Sequence, residues 1–218
     1  MELATRASDR VLYQLKTKGP ETAAELARRL GVTAMAVRLQ LYQLKRLGLV
    51  DYSDQRRPVG RPARVWRLAQ AAASRFPDSH AELTLEMIGA VRAAFGEAGI
   101  ERLLHERTQR QIASYADRMR GAGTRLLRRV QALAEIRRAQ GYMAECVRQP
   151  DGSILLTENH CPIYAAASSC QGLCREELSL FRTVLGNKAG VERVDHILAG
   201  ARRCAYVITS VERPGREH

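Results

Sequence analysis

Apolar residues recur at helical spacing through the first fifty positions. Val11, Leu12 and Leu15 share one face, and Gly19-Pro20 ends that segment. Thr22 stands three residues before Glu25, the spacing of a capping box, and Leu26 and Leu30 follow on one face of a second helix. Gly31 breaks that helix. Thr33 can cap a third, whose inward stripe is Val37, Leu41, Leu44 and Leu47 and which ends at Gly48. Two short helices joined by a glycine turn, the second longer and basic, predict a helix-turn-helix. Two β-prone segments, 49–52 and 65–68, flank the polar, basic stretch 53–64 with its Gly60-Arg61-Pro62 and predict a hairpin wing, closed by Trp66 as a core anchor.

Further along, residues 70–80 have linker character, with Pro77 as a breaker. Residues 81–119 are helical in composition, interrupted near Gly96 and Gly99, and keep Leu83, Met87, Val91 and Phe95 on one apolar face. A further helix is predicted over 124–140. Segments 141–147 and 153–157 around Gln149-Pro150-Asp151-Gly152 predict a β-hairpin, and 176–185 a helix. The fold expected is mostly α with a smaller α+β part. It comprises a winged helix-turn-helix over 1–70, a helical linker or dimerisation region over 71–140, and an α+β sensor domain with the cysteines over 141–218.

Composition adds a direction to this outline. The 218 residues are 45% hydrophobic, enough for a real core, and carry a formal net charge of +12. Residues 1–70 hold 14 Lys/Arg against 6 Asp/Glu, so a third of the chain carries two thirds of the excess. Charge concentrated in this way suits a phosphate backbone. With the apolar stripe of the third helix turned inward, Thr33, Arg38, Gln40 and Gln43 are left for the major groove of double-stranded DNA, where Arg and Gln pair with guanine and adenine edges. Arg56, Arg57, Arg61 and Arg64 on the wing are expected against phosphates or in a minor groove. No apolar run reaches the ~18 residues needed to cross a bilayer, and the first 30 residues carry charges throughout. The chain therefore reads as soluble and cytoplasmic, without a membrane partner and with its cysteines reduced.

Four of the five cysteines, Cys161, Cys170, Cys174 and Cys204, fall in the last third. Thiolates favour zinc, copper(I) and iron–sulfur clusters, and the CxxC spacing of common zinc fingers is absent. A helix start lowers a thiol's pKa, which makes Cys174 a plausible ligand. Cys146, inside a strand, reads instead as a small buried hydrophobe. No G-x-S-x-G, H-E-x-x-H or phosphate-loop sequence occurs, and the chain is not read as an enzyme.

The series helix-turn-helix, Gly48-Leu49-Val50, Gly60-Arg61-Pro62 wing, helical spacer, Glu158-Asn159-His160-Cys161-Pro162-Ile163 and Arg203-Cys204-Ala205-Tyr206 resembles the ArsR/DeoR-type winged-helix regulators, nearest to the iron–sulfur repressors of Suf operons. That resemblance implies a homodimeric repressor of a DNA operator whose affinity follows a [4Fe–4S] cluster on each subunit, a sensor of iron–sulfur or redox status. Cys161, Cys174 and Cys204 match its three principal ligands, and Cys170 is an extra thiol in reach of the same loop. The fourth iron site is open to Cys170, His160, His196, Asp195 or a small exogenous molecule. Many relatives carry a further cysteine where this chain has Tyr164. The competing reading keeps the DNA-binding half and makes the C-terminal domain a sensor of zinc, an organic effector or thiol oxidation.

Overall fold

In the computed structural model, which describes residues 7–56 and 62–211, α1 (Ala7–Lys18) buries Val11, Leu12 and Leu15. It is followed by a short strand, β1 (Glu21–Thr22). The next helix, α2 (Ala23–Leu30), starts with the expected capping box. The Glu25 amide donates to Thr22 Oγ1 at 3.3 Å and the Thr22 amide to Glu25 Oε2 at 2.7 Å, which satisfies two end donors at once. Helix α3 (Ala34–Arg46) begins at Thr33, whose hydroxyl accepts from the Ala36 amide. Strands β2 (Val50–Gln55) and β3 (Ala63–Leu68) pair antiparallel with Tyr52 opposite Trp66, and β1 adds to the other edge of β3. This is a winged helix-turn-helix closed on Trp66. The indole is fully buried and meets Tyr42 edge-on and Tyr52 at a tilt.

Two expectations change here. Leu47 does not continue the inward stripe: α3 ends at Arg46, and Leu47 is 70% exposed while Leu49 and Val50 enter the core. Nor does the first unit stop at residue 70. The chain divides into Met1–Asp78 and Ser79–His218, because the 3₁₀ turn Gln70–Arg75 seats Ala72 and Phe76 on the first core. Lys16 lies over the Phe76 ring, and Arg75 pairs with Asp9.

The second unit opens with α4 (His80–Arg118), a long helix broken at Gly96 by a positive φ of 67° that only glycine adopts freely. Helix α5 (Leu126–Ala139) follows. The antiparallel sheet has the order β4 (Ala144–Arg148), β5 (Ile154–Glu158), β7 (Cys204–Ser210), β6 (Ala189–Asp195). Between β5 and β6 lie α6 (Tyr164–Ser169) and α7 (Gly172–Leu185). The helices expected to form a spacer share one core with this sheet: Tyr115, Met119, Val130, Leu133 and Ile136 pack with Leu156, Phe181, Tyr206 and Ile208. No helix among the described residues is long and apolar enough to cross a membrane.

The core of this unit contains charge. Arg137 is buried, with Nε donating to Glu158 Oε1 at 2.5 Å and Nη2 to Glu158 Oε2 at 3.3 Å. Its Nη2 also pairs with Glu177, and the guanidinium lies 3.3 Å from the centre of the Tyr142 ring. One cation thus serves two carboxylates taken out of water. Removing it leaves both uncompensated, a loss of about 3–5 kcal/mol. Arg137→Met is therefore expected to lower the urea midpoint sharply, and Arg137→Lys to recover little of it, since a point charge cannot reproduce the fork. Glu158 is pushed up to about 7, mainly by burial and against the pull of Arg137. Its folded carboxyl holds a proton more tightly than an exposed glutamate does. Its contribution to stability is therefore largest at low pH and falls as pH rises from about 4.5 toward about 7. Urea titrations across that range are expected to show a decline in the native chain that is shallower in Glu158→Gln. An equal slope in both would assign the decline to another group.

Candidate functional site

The solvent-facing side of α3 carries Met35, Arg38, Leu39, Tyr42 and Gln43. Arg38 is exposed and unpaired among the described residues. Gln40 lies elsewhere. Two positions along a helix turn the side chain by about 200°, and Gln40 sits half-buried beside Ala7, Arg10, Val11 and Leu30 on the α1 flank. Thr33 is exposed, with its hydroxyl occupied as the cap of α3. On the wing, Arg56 is exposed. Arg57 and Arg61 lie outside the described residues.

Arg64 has an internal role that its sequence position did not reveal. Its Nη1 donates to Tyr42 Oη at 2.7 Å, its Nε to Asp54 at 3.3 Å, and its guanidinium stacks 3.8 Å from the centre of the Tyr52 ring. On the same ring sits Lys45, which also donates to Asp51 at 2.8 Å; that bond and the Tyr52 amide hold Asp51 below the usual carboxylate range. The wing is thereby moored to α3 by cations on aromatic faces. Between α2, α3 and the wing runs a groove of about 570 Å³ flanked by Arg38, Tyr42 and Arg64. Tyr42 was the overlooked member. It lies four residues beyond Arg38, so helical spacing alone places the two side by side.

In the second unit the sheet register brings Cys204 to the strand that leads into Cys161. Strand β7 pairs with β5 so that Cys204 stands opposite Glu158, three residues before Cys161. Cys174 is in the first turn of α7, and Arg193 of β6 donates to its carbonyl at 2.5 Å. Cys161 and Cys204 both raise the Cys174 pKa, Cys204 raises that of Cys161, and Glu177 acts on all three. Burial is the largest influence on each and pushes Cys174 up to about 11. Two sulfurs accept backbone amides: Cys161 from Ile163 and Cys204 from Ile197. Such donors favour the deprotonated form.

His196 directly precedes Ile197. Its Nε2 is buried without a hydrogen-bond partner, and burial together with the Arg193 charge holds the imidazole below its ordinary range. Arg193 and Glu177, which act on the imidazole, also act on the thiols. Cys170 is placed apart, buried among Ile100, Leu104 and Leu173. His160, Asp195 and Tyr164 are exposed. Cys146 is half-buried on β4 and contributes to the core edge. Among the described residues no three His, Cys, Asp or Glu side chains are gathered closely enough to hold a single metal ion.

Residues 10–52, from α1 into β2, match the family model described as bacterial regulatory protein, arsR family. No curated protein matches the chain. Among solved structures, a MarR family regulator from Neisseria meningitidis is similar at 19% identity over 61% of this chain and 75% of that one, with a TM-score of 0.28. The arsR-family match coincides with the helix-turn-helix seen here and supports a winged-helix, DNA-binding regulator.

The opposite placements of Arg38 and Gln40 separate their expected effects. On duplexes selected from a random pool, Arg38→Ala is expected to weaken binding about tenfold and relax preference at one base position. Gln40→Ala is expected to leave the selected sequence unchanged and alter only stability. The same selection repeated with each variant checks both.

Proposed function

We propose that this chain is a homodimeric transcription regulator, a repressor, that binds operator DNA through α3 and the wing and holds an iron–sulfur cluster through Cys161, Cys174 and Cys204. The observation that supports the reading is the β5–β7 register, which sets Cys204 opposite Glu158, three residues before Cys161, with Cys174 within electrostatic reach of both thiols. The donor set suits such a group: soft sulfurs with amide donors at two of them, and the unpartnered His196 Nε2 as the nitrogen nearest in kind to a fourth ligand. When bound, the cluster would supply sensitivity to iron, oxygen and electrons.

The chain's own residues then carry the state of the thiol site outward. Leu173, beside Cys174, packs on Ile100 and Leu104 of α4, and Arg175 donates to Glu101 of the same helix at 2.5 Å. Before the Gly96 break, α4 leaves Leu83, Met87 and Phe95 exposed by more than half. An apolar stripe in this position suits pairing with the same stripe of a second copy, which spaces two reading heads for a palindromic site. A change at the thiol site would reach α4 through these contacts of α7.

Anaerobic purification with iron, sulfide and zinc quantified tests the reading. The native chain is expected to be brown and to bind duplex DNA with an affinity that changes on chelation. Cys161→Ser, Cys174→Ser and Cys204→Ser are expected to lose iron, while Cys170→Ser retains it. His196→Ala is expected to keep three-cysteine ligation and change the cluster's electron paramagnetic resonance spectrum. Colourless protein with stoichiometric zinc after iron and sulfide reconstitution would overturn it. Leu83→Glu with Met87→Glu is expected to give monomers by light scattering; an unchanged dimer would place the interface elsewhere.

A further inference from the structure

Away from the thiols, the second unit concentrates positive charge a second time. Residues 118–138 carry seven arginines against Glu135 alone. Some are spent internally: Arg137 in the core, Arg129 on the Val184 and Gly123 carbonyls, and Arg120 on Asp117. Three others converge on one depression between the end of α4, α5 and β4. This groove, of about 940 Å³, takes Arg118 from α4, Arg128 and Arg138 from α5, and Cys146 from β4. Gly121, Gly123 and three alanines also line it, and their small side chains leave space. Arg138 is half committed, pairing with Glu135 at 2.7 Å and donating to the Ala144 carbonyl. Arg118 and Arg128 have no partner among the described residues. Glu145 stands at the rim and is likewise unpaired.

We propose that this groove binds a small anion with at least two negative groups, phosphate or carboxylate, clamped between Arg118 and Arg128. Its volume falls in the ~300–1,000 Å³ span of small-molecule sites. Guanidinium forks are suited to planar, paired oxygens of either kind. The site is independent of the cluster reading, since none of its residues is a proposed cluster ligand.

Cys146 supplies the readout, because it is half-buried and lines the same groove. In the full chain, its alkylation by iodoacetamide is followed by peptide mass spectrometry with pyrophosphate or citrate added, against chloride at matched ionic strength. Pyrophosphate or citrate is expected to slow alkylation of Cys146 several-fold while leaving Cys170 unaffected. Protection by pyrophosphate alone identifies a phosphorylated ligand, by citrate alone a polycarboxylate. Arg118→Gln and Arg128→Gln are each expected to weaken the protecting affinity about fivefold, as for one exposed charged contact, and Glu145→Gln to strengthen it. Protection equalled by chloride, no protection by either anion, or full protection in the double arginine variant overturns the proposal.

Discussion

A single guanidinium organises the second unit. Arg137 projects from α5 into the interior and is held by Glu158 of β5, Glu177 of α7 and the Tyr115 hydroxyl of α4. Its charge is admissible there only because both carboxylates are at hand, and they in turn are admissible only because it is. Tyr206 of β7 donates to Glu177 at 3.0 Å, and Arg193 of β6 reaches both the Tyr206 hydroxyl and the Cys174 carbonyl. Two helices, a long helical arm and three strands are thereby fixed to one polar knot within an otherwise apolar core.

The thiols inherit their placement from that knot. Glu158 is both a partner of Arg137 and the residue opposite Cys204, so the pairing that settles the buried charge also settles where the last cysteine lies. Cys174 starts α7 where Gly172 lets the helix approach α4: a Cβ at that glycine would fall 2.5 Å from Leu104 Cδ1. The surroundings of these thiols are thus built from structural constraints, with burial and Glu177 opposing their ionisation. An occupant that takes thiolates must overcome that opposition and, in doing so, stabilises the fold around it.

Much of the first unit was legible in the sequence because its signals are local. The Thr22–Glu25 cap, the turn at Gly31 and the stripe Val37, Leu41 and Leu44 each depend on neighbours within four residues. Leu47 misled because periodicity does not register the end of a helix one residue earlier. In the second unit β6 was overlooked. Ala189–Asp195 has no clean alternation, since Arg193 points toward the polar knot where an apolar residue would be expected. Helix α6 has only six residues, too few to show a period, and Gly172 reads as a breaker although it opens α7. The placing of Cys204 opposite Glu158, three residues before Cys161, depends on strand pairing across 46 positions, which no local pattern encodes. The opposite flanks of Arg38 and Gln40 were available from helical geometry alone.

The mooring of Arg64 to Tyr42 and Tyr52 bears on how such a reading head could be re-engineered. A hairpin grafted from another protein without its matching helix would bring an arginine with no phenol to receive it, and a helix exchanged alone would strand the arginine already present. Specificity transplants in this architecture therefore have to move helix and hairpin as one cassette, with the aromatic pair as its indivisible hinge pin.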